Sequence, residues 1–94
     1  MAELEAAVRV ETETGSVHEF TADFRHYRRA VPAHELRQDS VWLPLVEVEA
    51  GRTMPSGIHD IVLGRPLFIF LVGLGVGPFT TRITAAVAVV TVVI

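Results

Sequence analysis

Residues 67–94 constrain this chain more than any other part of it. They hold two long apolar runs, rich in β-branched and aromatic residues, separated by Gly75-Val76-Gly77-Pro78. Valine, isoleucine, threonine and phenylalanine favour extended backbone. Two such strands joined by a turn cannot remain in water by themselves. They must form the centre of a sheet, enter a membrane or pack against another chain. Sixteen uncharged residues lie between Arg65 and Arg82, including Pro78 and three glycines, and twelve run from Ile83 to Ile94. A membrane helix needs about 20 predominantly apolar residues. No membrane span is therefore expected, and a sheet or an interface remains.

The 94 residues suit one domain. Half are hydrophobic, at the upper end of the usual range of about 45–50%, and surplus apolar surface calls for cover by a second copy or another protein. The net charge is −3, so bulk electrostatics give no pull toward nucleic acid or anionic lipid. Cysteine is absent, which removes disulfides, thiol catalysis and thiolate metal sites. All eight basic residues are arginine, and lysine and asparagine are absent, which points to a high-GC genome. The opening Met-Ala-Glu-Leu-Glu is acidic and has no apolar core, unlike a secretory signal. A cytoplasmic location in the producing cell, or a virion, is the expectation.

Along the chain the patterns are those of strands. Val8-Arg-Val-Glu-Thr-Glu-Thr14 alternates in the period of a half-buried strand, Thr14-Gly-Ser16 reads as a turn, and Val17 to Ala22 resumes the extended pattern. A loop at 14–16 would pair Val10 with Phe20 and Val8 with Ala22, and set Glu11 opposite Glu19. Residues 23–31 read as an irregular or briefly helical connection capped by Asp23 and stopped by Pro32, with extension of the second strand as the alternative. Pro32 to Ser40 is loop, with room for a helical turn at 33–37. Residues 41–50 form a strand that is at an edge or broken at Pro44. Met54-Pro-Ser-Gly57 suits a type I turn, and 58–63 is a short strand. In the last hairpin a four-residue loop at 75–78 would pair Leu74 with Phe79, Val72 with Thr81, Phe70 with Ile83 and Phe68 with Ala85. That makes one uniformly bulky face. The opposite face carries Leu67, Ile69, Leu71, Val90, Val92 and Ile94, is polar near the turn, and should be left partly uncovered. Val90, Val92 and Ile94 are the candidate oligomer interface.

Chemistry-bearing motifs are few. Gly73, Gly75 and Gly77 are followed by a strand, whereas phosphate loops need a helix N-terminus to face the anion. No cofactor is expected. The histidines 18, 26, 34 and 59 have no metal-ligand spacing. His59 and Asp60 with Ser56 or Ser40 could be drawn as a hydrolytic set, but no nucleophile elbow surrounds either serine, and a non-enzymatic chain is expected. Arg25, Arg28 and Arg29 with Tyr27 form the one basic cluster. An aromatic among arginines could stack a base while guanidiniums hold phosphates, or the cluster could be a solvated face answering nearby glutamates. Trp42 serves as core packing first and as an interface anchor second. Arg25, Tyr27, Arg28, Arg29 and Trp42 are the candidate partner-binding residues.

Thr14-Gly-Ser-Val-His-Glu-Phe, Arg28-Arg29, Leu36-Arg-Gln-Asp39, Leu63-Gly-Arg-Pro-Leu67 and Thr81-Arg-Ile-Thr-Ala-Ala-Val-Ala-Val together resemble a type of small uncharacterised β-rich protein from high-GC actinobacteria and their phages. Where that type carries a Ser/Thr-Pro, this chain has Ala85-Ala86, which implies a longer and more self-associating last strand. The resemblance brings no function and no site residues with it.

The fold expected is all-β: a small antiparallel β-sandwich or partly open barrel with at most one short helix. Residues 1–94 make one domain, with an N-terminal hairpin at 7–22, a connector at 23–40, strands at 41–50 and 58–63, and a C-terminal hairpin at 67–94. The expected role is a non-enzymatic structural or protein-interaction module, homo-oligomeric, with a phage virion as one setting. The alternative is a small regulatory binder of nucleic acid or another anionic partner through the 25–29 cluster.

Overall fold

A computed structural model of the chain describes residues 4–31, 41–72 and 79–93. The expected helical turn at 33–37, the tight turn at 75–78, Leu74 and Ile94 lie outside these. The strands are β1 (Val8–Thr12), β2 (Val17–Phe20), β3 (His26–Val31), β4 (Leu43–Pro44), β5 (Glu47–Val48), β6 (Arg52–Thr53), β7 (Pro66–Val72) and β8 (Phe79–Val92). Six of them form an antiparallel sheet in the order β4-β3-β2-β1-β8-β7, and β5 pairs with β6. The sheet curls until its ends meet. Leu45 bridges Leu71, and the Val46 N–H donates to the Phe70 carbonyl at 2.8 Å. The result is a nearly closed, barrel-like all-β fold. Among the described residues no helix is long and apolar enough to cross a membrane.

The long last strand has two partners in succession. Its first part, to Ala86, pairs with β7, and residues 87–92 pair with β1. Both ladders slip register around this junction, between Pro66 and Phe68 and between Glu11 and Thr12. Irregularities of this kind bend a strand and sharpen its twist. Here they let β8 leave one half of the barrel wall and enter the other. At the joint the Gly64 N–H donates to the Val87 carbonyl at 2.8 Å, and the Val87 N–H to the Arg65 carbonyl at 2.9 Å. The core inside is Val8, Val10, Phe20, Phe24, Tyr27, Leu45, Ile61, Leu67, Ile69, Leu71 and Val87, with Ala7 at its edge.

Several local expectations are corrected. The N-terminal hairpin pairs Val8 with Phe20, Val10 with His18 and Arg9 with Glu19, two residues away from the register read in the sequence. Gly15 has φ 86°, and the Thr12 N–H donates to the Ser16 carbonyl at 3.0 Å. The loop is therefore 13–15, ending on the one residue that takes a left-handed conformation without cost. This register also replaces a Glu11–Glu19 repulsion with an Arg9–Glu19 attraction. The connector is a strand at 26–31 rather than a helix. Asp23 does not cap a helix: its Oδ1 accepts the Arg25 N–H at 3.0 Å and the Thr21 hydroxyl at 2.7 Å. That closes a tight turn and sends the chain back along β2. The strand expected at 58–63 is a 3-10 turn at Ile58–Asp60 with a single bridge at Leu63. The strand expected at 41–50 is broken after Pro44 into β4 and β5. Residues 54–57 form a bend without the backbone hydrogen bond of the type I turn expected.

The final hairpin is also shifted by two, with Val72 opposite Phe79, Phe70 opposite Thr81 and Phe68 opposite Ile83. Its inward face is the one expected to be left over. Leu67, Ile69 and Leu71 are buried, while Phe68 is 47% and Ile83 61% exposed. Interior volume explains the inversion. A barrel this small already holds Phe20, Phe24 and Tyr27, and close packing leaves no room for a second aromatic layer from Phe68 and Phe70.

Candidate functional site

Alternation along β3 disperses the 25–29 cluster. Tyr27 is fully buried, and Arg29 lies opposite His18 on the same inward face. Arg28 points outward, where its Nε donates to Glu19 Oε1 at 2.7 Å and its guanidinium stacks 4.5 Å from the centre of the Trp42 ring. Glu19 also accepts from Arg9 Nη2 at 3.3 Å, so one buried carboxylate ties β1, β2 and β3 together from outside. Arg25 reaches Glu47 at 3.1 Å across an exposed surface. Of the candidate partner-binding residues, Arg28 and Trp42 meet. Arg25 stands apart on the same strand-to-strand turn, and Tyr27 and Arg29 face the interior.

What Tyr27 and Arg29 join is a polar chain through the barrel. Arg82 Nη1 donates to the Tyr27 hydroxyl at 3.1 Å, and that hydroxyl lies 2.7 Å from His18 Nδ1. His18 Nε2 lies 3.1 Å from Ser16 Oγ, which lies 2.6 Å from Thr12 Oγ1. Arginine can only donate. The tyrosine oxygen therefore accepts from Arg82, and the direction of its bond to His18 Nδ1 follows the imidazole tautomer. Burial, then Arg29 and Arg82, push the His18 pKa down to about 4. This row of Thr12, Ser16, His18, Tyr27 and Arg82 satisfies polar groups buried inside the barrel.

The chain of polar groups was missed in the sequence, yet a signal was there. Thr12, Ser16 and His18 share parity with Val8, Val10 and Phe20, so they had to face inward and find partners inside.

Ser56, His59 and Asp60 do come together, in an order unsuited to hydrolysis. Asp60 Oδ2 accepts both the Ser56 N–H and its hydroxyl at 2.7 Å, and Asp60 Oδ1 is 3.8 Å from His59 Nε2. The carboxylate takes the serine proton contact that a catalytic histidine would need. These bonds hold the Asp60 carboxyl below its ordinary range despite partial burial. Among the described residues no group of three or more histidine and carboxylate side chains is arranged to hold a metal ion.

The candidate interface residues lie on the second half of β8. Val90 is half-buried and packs against the core, whereas Val92 is 59% exposed. Beyond the joint at Val87, residues 88–93 pair, among the described residues, with β1 alone. The Val93 N–H donates to the Ala7 carbonyl at 2.7 Å, which sets the alternation: 89, 91 and 93 aim their main chain at β1. By the antiparallel pattern, Val90 and Val92 aim theirs away. Val89 and Val93 are about as exposed as Val92. The edge carries no charge and no proline.

No protein family, no curated protein and no solved structure matches this chain.

Proposed function

We propose that this protein is a non-enzymatic interaction module that associates with a second copy of itself by antiparallel pairing of the outer edge of β8. The carrying observation is that open edge. Natural sheets blunt exposed edges with lysine, proline, bulges or short length. Residues 88–93, Ala-Val-Val-Thr-Val-Val, have no lysine and no proline, and past the register shift at Ala88 the pairing with β1 is regular from Val89 to Val92. Their alternate N–H and C=O groups stand ready in the geometry of strand addition. A two-fold axis near Val90 makes the contact self-complementary and closed. The exposed Phe68, Val72 and Ile83 extend the apolar surface available to an assembly. The resemblance to small actinobacterial and phage proteins makes a virion or its assembly one setting for such a module. The basic stretch supports the nucleic-acid alternative less well, since Arg28 and Arg25 are engaged with Glu19 and Glu47.

Sedimentation across a hundredfold dilution tests the reading. The wild-type chain is expected to shift between dimer and monomer. Val92→Pro, at an exposed position whose N–H points outward, leaves the β1 ladder intact and is expected to stay monomeric with little change in thermal stability. A 10.3 kDa species at every wild-type concentration, or a dimer that survives Val92→Pro, rejects it.

A further inference from the structure

At the end of the barrel where β1 begins and β8 finishes, a solvent-open cleft of about 530 Å3 separates the wall from the turn at 56–59. Its apolar surface comes from Ala7, Val8, Ala22, Phe24, Ile58 and Val92, and its polar groups come from Ser56 and His59. Small-molecule sites have this size and this mixture: mostly apolar walls with a few placed polar groups, at the mouth of a barrel.

Two further features of the same walls go beyond shape. Phe24 has φ 54°, a left-handed conformation that is an outlier for a bulky residue, and such strain clusters at ligand clamps. It is held there from three sides. The Phe24 N–H donates to the Thr21 carbonyl at 2.9 Å, its carbonyl accepts the Thr53 hydroxyl, and its ring stacks on Phe20 at 5.2 Å. The strained turn sets an aromatic ring in the cleft wall. Gly57 is the second feature. A side chain there would stand 3.0 Å from the His59 ring. With glycine at this position, the imidazole folds back over the main chain at the cleft mouth.

We propose that this cleft binds a small uncharged apolar molecule with one hydrogen-bonding head, its body against Phe24, Val8 and Val92 and its head at His59. The charge follows from the surroundings. Among the described residues no arginine lines the cleft, and the Asp60 carboxylate sits 3.8 Å from the His59 ring, so an anionic head would meet a like charge. Ser56 already gives its proton to Asp60, which leaves His59 as the polar contact.

The probes are octanol and octanoate, which differ only in the head, titrated while amide and methyl resonances are followed. Octanol is expected to give saturable shifts at Ala7, Ala22, Ile58 and Val92. Octanoate should bind more weakly by at least about fivefold. His59 is exposed, so His59→Ala should leave thermal stability unchanged and weaken octanol roughly fivefold, the loss of one hydrogen bond. Ala22→Trp at the exposed rim should abolish binding. The same results at concentrations where the chain is monomeric separate the cleft from edge pairing. Shifts that fail to saturate, shifts centred on Phe68 and Ile83, equal affinity for octanoate, or affinity untouched by either His59→Ala or Ala22→Trp overturn the proposal.

Discussion

The buried imidazole of His18 makes folding sensitive to acid. A second proton on His18 is opposed by burial and by the Arg29 and Arg82 guanidiniums, and its pKa falls from 6.5 to about 4. The unfolded chain binds that proton more readily than the folded one. Stability is therefore complete above about pH 6.5, falls as the pH drops toward 4, and loses no more to this group below that. The shift corresponds to about 3 kcal/mol. Asp23 and Asp60, whose pKa values are lowered from 3.8, add their own losses only at lower pH. Urea midpoints between about pH 7 and pH 4 should fall in the wild type and stay nearly level in His18→Gln. A wild-type midpoint that does not change over this window contradicts the buried imidazole.

At the scale of the element, β8 is two half-strands in one. Among the described residues its first half pairs with β7 and its second half with β1. Hydrogen exchange reads this directly. In dilute protein the amides of Val89 and Thr91 should be protected, since they face β1, while those of Val90 and Val92 exchange quickly. Raising the concentration should slow the second set and leave the first unchanged. Uniform protection from Val87 to Val92 at all concentrations would mean that the outer edge is covered within one chain. The register of this strand also shows where sequence reading loses resolution. Periodicity of two establishes which residues share a face, and a shift of two preserves that set. Both hairpins were accordingly read with correct face partners and a pairing displaced by one step. The turn decides between such registers, through the left-handed Gly15 in the first hairpin.

For the whole molecule, closure of the barrel determines which face counts as inside. Leu71 meets Leu45 where the sheet ends join, and both are buried. Leu71→Ala should cost about 2–5 kcal/mol in unfolding free energy. Phe68→Ala, a larger truncation on the adjacent residue pattern but on the outer face, should cost much less, within about 1 kcal/mol. Equal losses at the two positions would put Phe68 in the core and reverse the orientation of β7. The Arg9–Glu19–Arg28 tie on the outside and the Thr12-to-Arg82 chain on the inside cross three and four strands respectively, so each closes the same wall from its own side.

By itself the sequence determined strand character almost throughout, the break at Pro44, the absence of a membrane-spanning helix and the surplus of apolar surface, because these depend on local propensity, composition and length. It also carried, unread, the inward polar parity of Thr12, Ser16 and His18. Tertiary structure alone decided three things. The 26–31 segment became a strand because β2 offered it an unpaired edge, overriding a short helical pattern. Leu67, Ile69 and Leu71 went inside because Phe20, Phe24 and Tyr27 had already taken the space an aromatic face would need. The bend at Val87, where β8 changes partners, is one that no pattern of residues within β8 specifies without the two ladders it must join.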